Sequence, residues 1–358
     1  MDSEKEYSNY ISYISTAKII SLLCVLIFHC CLFFANNPFW PTRAEKTSTV
    51  AYYLCEYLDL TIIATFVMAS GYLFSEKLKR KKITIPGEIA AKTKQYIGNY
   101  LIYGALWLVP TYTLFDFSCF GRESGTSLLD GYYLMVMGVF SDHLWFLWML
   151  FWIAIFWILC HKLLKGWGLP AAALIGMGYA LFAQFVLADA PYFKISQIGQ
   201  YVMVYFAGIL LSHFKDAYEK LSGIVLGIII CVSFGLMTVY IIIKPEYFIW
   251  NWLIKIVAGL FIISIFRLMS VTKFYKDTGK TGLWKYLKKY SFEIYLFNMP
   301  FPYLFFRIIY PFTGSIPAVC IILNILLSFV SILCTVQICV VIKNFIKKVF
   351  ASGKEKTK

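Results

Sequence analysis

Charge is scarce in this chain. Only 15% of its 358 residues are Asp, Glu, Lys or Arg, where soluble domains carry roughly 25%, so a soluble globular enzyme is excluded. Acid is scarcer than base: 19 Asp and Glu face 33 Lys and Arg, a formal net charge of +14. No nucleic-acid partner follows from that excess, because a basic footprint needs a water-facing surface to carry it. Long polar stretches are missing too, which leaves no room for a second soluble domain. No internal repeat is visible, and this disfavours the transporter folds built from repeats. The ten cysteines include no C-x-x-C and lie mostly in apolar runs, where Cys acts as a small hydrophobe. Neither a metal site nor a disulfide framework is expected. No small-residue cleavage motif follows the first apolar run, which reads as a span rather than a signal peptide.

What the chain has is length of apolar sequence. Hydrophobic residues make up 60% and recur in runs of about 18 to 24, the length that crosses a bilayer. Aromatics at 19% suit interfacial belts. The expected fold is an all-α, multi-pass membrane protein with about ten transmembrane helices, over residues 13–35, 51–74, 96–115, 144–160, 170–187, 198–213, 221–243, 248–266, 291–310 and 317–342. Segment 128–140 is too short to cross and reads as interfacial or re-entrant. Residues 1–12 then form an N-terminal segment, 13–342 the membrane domain and 343–358 a basic tail. Basic residues collect on the side that holds both termini, which the positive-inside rule makes cytoplasmic. Arg43, Lys46, Arg122, Lys194 and Lys244 are the exceptions outside, and Lys18, Lys255 and Arg307 fall within spans.

Ionisable residues inside a bilayer are costly and mark functional sites. The first span holds two. Lys18 and His29 are eleven residues apart, which on an α-helix is about 20° from a whole number of turns and about 16 Å of rise. They share one face, with Lys18 at the inner edge and His29 near the middle. Lys18 alone reads as a snorkelling anchor. His29 is either a buried neutral imidazole bonded to a neighbouring helix or a group that takes and returns a proton near neutral pH.

A basic residue, ten residues and a His resembles the first-helix signature of the membrane acyltransferase 3 family. Three more segments agree with that family in the right order. Phe66-Val67-Met68-Ala69-Ser70-Gly71-Tyr72-Leu73-Phe74 resembles its F-F-x-x-S-G-Y-L, His143-Leu144-Trp145-Phe146-Leu147 its H-L-W-F-L, and Ser291 to Pro300 its S-x-x-I-Y-L-x-H-x-P. The resemblance implies a membrane enzyme that passes an acyl group, usually acetyl from acetyl-CoA, to a hydroxyl or amine of a cell-envelope carbohydrate. It makes His29 the catalytic residue and Lys18 the conserved basic position, with Lys where the family usually has Arg. Lys92-Thr93-Lys94 stands for the family's Arg-x-Arg, with the cluster Lys79 to Lys82 as a competitor. Asn298 stands where the family often has His, and it can hydrogen-bond but not titrate.

On this reading Lys18, Lys92 and Lys94 hold the CoA phosphates, and Ser70 and Gly71 allow a close approach to the cofactor. Asp59 orients the imidazole or binds the acceptor. His143, expected with Asp142 at the outer mouth, forms the substrate set together with Trp145, Glu293 and Asn298. Whether His29 acts as base or nucleophile stays open. Partners are the bilayer, acyl-CoA and an envelope saccharide or lipid-linked glycan, in a multi-pass bacterial plasma membrane protein, with a homo-oligomer left open. The competing class is a secondary transporter or flippase without covalent chemistry.

Overall fold

The computed structural model describes residues 12–36, 42–80, 83–118, 122–164, 168–245, 247–272, 275 and 281–355. Lys5, Lys81, Lys82, Lys165, Lys273, Lys276, Lys280 and Cys119, with most of the N-terminal segment, lie outside these residues. Among the described residues the chain is helical. Eight helices are long and apolar enough to cross a membrane: α1 (Ser12–Leu32), α2 (Thr49–Arg80), α5 (Trp145–Leu159, entered through a 3-10 turn at Asp142–Leu144), α6 (Gly168–Phe185), α7 (Ile198–His213), α8 (Gly223–Ile243), α9 (Phe248–Met269) and α12 (Pro317–Glu355). Two interrupted crossings complete the plan. One is α3, residues 85–114, in which π-helical turns at Thr93–Gly98 and Gly104–Leu108 break the α-helical ladder. The other is the pair α10 (Gly282–Leu296) and α11 (Phe301–Thr313), one run with a break in its middle. The fold is therefore an all-α, polytopic membrane protein.

Burial sorts the helices. In its most apolar stretch α2 is 72% buried, against 17% for α12, so α2 sits at the centre and α12 faces lipid. The centre is tight because two glycines permit it. A Cβ on Gly208 of α7 would stand 1.9 Å from the Met68 carbonyl oxygen, and one on Gly71 of α2 would stand 2.0 Å from that of Tyr205. The two helices thus cross backbone against backbone, as small residues allow in membranes. Ser70 and Gly71, expected to allow a close approach to the cofactor, stand at this crossing. The backbone of Tyr205 occupies the space beside Gly71, and the Ser70 hydroxyl donates to the Phe66 carbonyl at 2.8 Å within its own helix.

The short segment forms α4 (Leu128–Val136), whose N-terminus is capped by the Ser127 hydroxyl accepting from the Asp130 amide at 3.1 Å. Nine residues rise only about 14 Å, too little to cross. It is tied to α3 instead: Tyr100 donates to the Met135 and Phe140 carbonyls at 2.7 and 3.1 Å, and Tyr132 donates to that of Ala105 at 3.0 Å. The next-to-last crossing needs a correction. The expected continuous span 291–310 is divided at Asn298 and Pro300, where proline lacks the amide that would continue the ladder, and α10 begins earlier than expected, at Gly282.

Candidate active site

Three separated segments meet at the break between α10 and α11. From α1 comes His29, whose Nδ1 lies 3.4 Å from Oδ1 of Asn298 in the break itself. From the 3-10 turn before α5 comes His143, its ring 6.4 Å from that of His29 in an edge-to-face arrangement. All three side chains are buried. Sequence had placed His143 at the outer mouth. The structure buries it in the 3-10 turn that opens α5.

The surroundings of His143 are polar and specific. Its Nε2 stands 3.1 Å from the Leu296 carbonyl, at the end of α10, and its Nδ1 3.5 Å from Oδ2 of Asp142. Asp142 is itself buried, accepts a hydrogen bond from the Tyr112 hydroxyl of α3, and lies close enough to His29 to act on it electrostatically. The Tyr295 hydroxyl donates to the His143 carbonyl. Asp142 adopts φ of 38°, a left-handed conformation that costs a non-glycine residue energy and is found where surrounding structure enforces it, functional sites above all. Here Tyr112 and His143 provide that enforcement.

Lys18 lies down the same face of α1. Its ammonium stands 4.3 Å above the Phe66 ring, and Lys92 of α3 is close enough to act on it electrostatically. Between this cation pair and the histidines run packed rings in series: Phe66 on Phe146 at 5.0 Å, Phe146 on Tyr295 at 4.8 Å, Tyr295 on His143 at 5.4 Å. On the outer side a second aromatic layer covers the site. Phe33 stacks on Phe306 at 4.2 Å and meets Tyr303 at 5.3 Å, while Phe117 lies 5.7 Å from Tyr112.

The remaining expected residues divide. Lys94 is exposed, and Lys92 alone of that pair turns inward, holding Gln95 at 3.1 Å. Of the competing cluster, Lys79 holds Glu76 at 2.8 Å and the Ser212 carbonyl at 2.7 Å, and Lys81 and Lys82 lie outside the described residues. Asp59 acts electrostatically on Lys255, and Lys255 donates to Gln200 at 2.5 Å beneath the Tyr201 ring. Trp145 packs towards that same Tyr201. The carboxylate beside the histidines is Asp142, which the sequence reading pairs with His143. Glu293 lines an inner groove one turn and more before Asn298. Tyr112 was not foreseen; a tyrosine between Thr111 and Thr113 in an apolar span was its only signal.

Neither the curated proteins nor the solved structures contain a match to this chain. A protein family described as an acyltransferase domain does match, over residues 11–343. That match spans the four motif segments and every residue of the buried centre, so the chain belongs to the membrane acyltransferase 3 family and is a membrane acyltransferase.

Proposed function

We propose that the protein transfers an acyl group, acetyl in the first instance, from acyl-CoA at the cytoplasmic side to a hydroxyl of a cell-envelope saccharide or lipid-linked glycan, in a bacterial plasma membrane. The observation that carries this reading is the meeting of His29, Asn298 and the Asp142–His143 pair in one buried centre.

The chemistry needs a base, a held thioester and stabilisation of charge. Asn298 offers an amide oxygen to His29 Nδ1, an acceptor that places the proton on Nδ1 and leaves the lone pair on Nε2. Nε2 then removes the proton of the acceptor hydroxyl as its oxygen attacks the thioester carbonyl. The tetrahedral intermediate collapses, the carbon–sulfur bond breaks, and the imidazolium returns its proton to the departing CoA thiolate. While His29 carries that proton it is a buried cation, and the Asp142 carboxylate stabilises it through space. His143, wedged between the two, is a positioning residue. Two basic sets flank the inner approach for the donor, Lys18 with Lys92 and Lys289 with Lys343.

Purified protein given labelled acetyl-CoA and envelope glycan tests the proposal. Labelled product is expected from the wild type, with a loss of at least about a hundredfold in His29→Ala. Product formation that persists in the variant removes His29 from the reaction. Glycan movement across the membrane without acetyl-CoA favours the transporter class instead.

A further inference from the structure

An open groove of about 320 Å³ lies between α3, α10 and α12 on the basic side of the molecule. Its lining is graded along both long helices. On α10, Lys289 stands at the rim and Glu293 one turn deeper, with Phe297 just past the helix end; on α12, Lys343 at the rim gives way to Val340 and Val336. From Lys289 to Phe297 the helix rises about 12 Å. At its deep end stands Phe297, whose ring packs 4.8 Å from Tyr103 and 5.3 Å from Trp107. The next residue is Asn298, the partner of His29.

We infer that this groove receives the phosphopantetheine arm of the acyl donor, with phosphate at Lys289 and Lys343, amide and hydroxyl groups at Glu293 and Tyr103, and the thioester passing Phe297 towards Asn298. The inference rests on the acyl-transfer reading above and adds the route and the residues. The order of polar groups selects the ligand. A membrane phospholipid also brings a phosphate to a cationic rim, but below its phosphate it offers ester carbonyls, which only accept hydrogen bonds and repel a carboxylate at that depth. A pantetheine arm offers amide N–H and hydroxyl donors there, which Glu293 accepts. The alternative approach along Lys18 is filled by Phe66, Phe146 and Tyr295 in series, all buried.

The test uses the full-length protein in nanodiscs and desulfo-coenzyme A, which has no thiol to consume reagents. Cys339 lines the groove, so its alkylation by a maleimide, mapped by mass spectrometry in the unmutated protein, is expected to slow about tenfold at saturating desulfo-coenzyme A. Lys289→Gln with Lys343→Gln is expected to weaken binding about tenfold, and Glu293→Gln to weaken desulfo-coenzyme A while leaving adenosine 3′,5′-bisphosphate unchanged. If the wild type binds but Cys339 is unprotected and only Lys18→Gln weakens affinity, the groove assignment falls and the acyl-transfer reading stands. If the paired lysine variant loses a copurifying phospholipid with desulfo-coenzyme A binding intact, the groove is a lipid site and the inference is overturned. If the wild type neither binds desulfo-coenzyme A nor transfers an acyl group, both fall.

Discussion

At the scale of single residues, the reading turns on what Asn298 does for His29. A titratable residue at that position would compete for the proton that His29 must move, whereas an amide oxygen holds Nδ1–H and does nothing else. Asn298→Ala removes one buried hydrogen bond, worth about 1 to 1.5 kcal/mol, and that converts to roughly tenfold in kcat at 1.36 kcal/mol per decade. Asp142→Asn keeps the shape and removes the charge that steadies the imidazolium, with an expected loss of about a hundredfold. Both losses belong in kcat with the KM for acetyl-CoA unchanged. A raised KM at intact kcat would mark either residue as a binding group. His29, His143 and Asn298 were legible in the sequence because polar residues stand out within apolar runs and because motif order tied the three together. The carboxylate that the structure sets beside His143 is Asp142, while Asp59 acts electrostatically on Lys255, and which neighbour a helix turns a residue towards is not written in spacing alone.

At the scale of elements, the spans were legible and their interruptions were not. Apolar length locates a crossing, but the π-helical turns of α3 and the break between α10 and α11 depend on which backbone groups find partners elsewhere. Trp107 shows this directly: its indole N–H donates at 2.7 Å to the Met299 carbonyl, satisfying a group that the broken helix leaves open. The close crossing of α2 and α7 carries a sharper consequence, since it sets the floor on which Phe66 faces Lys18. Gly208→Ala drives a methyl into the Met68 carbonyl, and the expected cost is about 1 to 3 kcal/mol, read as a lower midpoint of thermal unfolding in detergent. Gly227→Ala on α8 is the control, since a Cβ there meets nothing within 4 Å. Equal behaviour of the two variants would show that α2 and α7 are not packed backbone against backbone.

At the scale of the whole molecule, the site has an inside and an outside, and charge tells them apart. The rim of the inner groove is made by Lys289 and Lys343, and the ends of α2 and α10 on that side add Lys77, Lys79, Arg80 and Lys285. Towards the other side, α11 extends thirteen residues beyond the break, and the rings of Phe33, Tyr303 and Phe306 lie between His29 and the opposite surface. A donor confined to the cytoplasm and an acceptor outside it would meet at the break in α10–α11, each entering from its own side. This arrangement requires the orientation that the basic residues dictate. Single cysteines introduced at Ser124 and at Thr281 of a cysteine-free variant that retains activity test it with a membrane-impermeant maleimide. The two positions lie in connections at opposite ends of the bundle, Ser124 between α3 and α4 and Thr281 at the start of α10. Ser124→Cys should label in intact cells, and Thr281→Cys only after permeabilisation. The reverse pattern would put the basic groove outside, where acyl-CoA is absent, and would end the case for a cytoplasmic acyl-CoA donor.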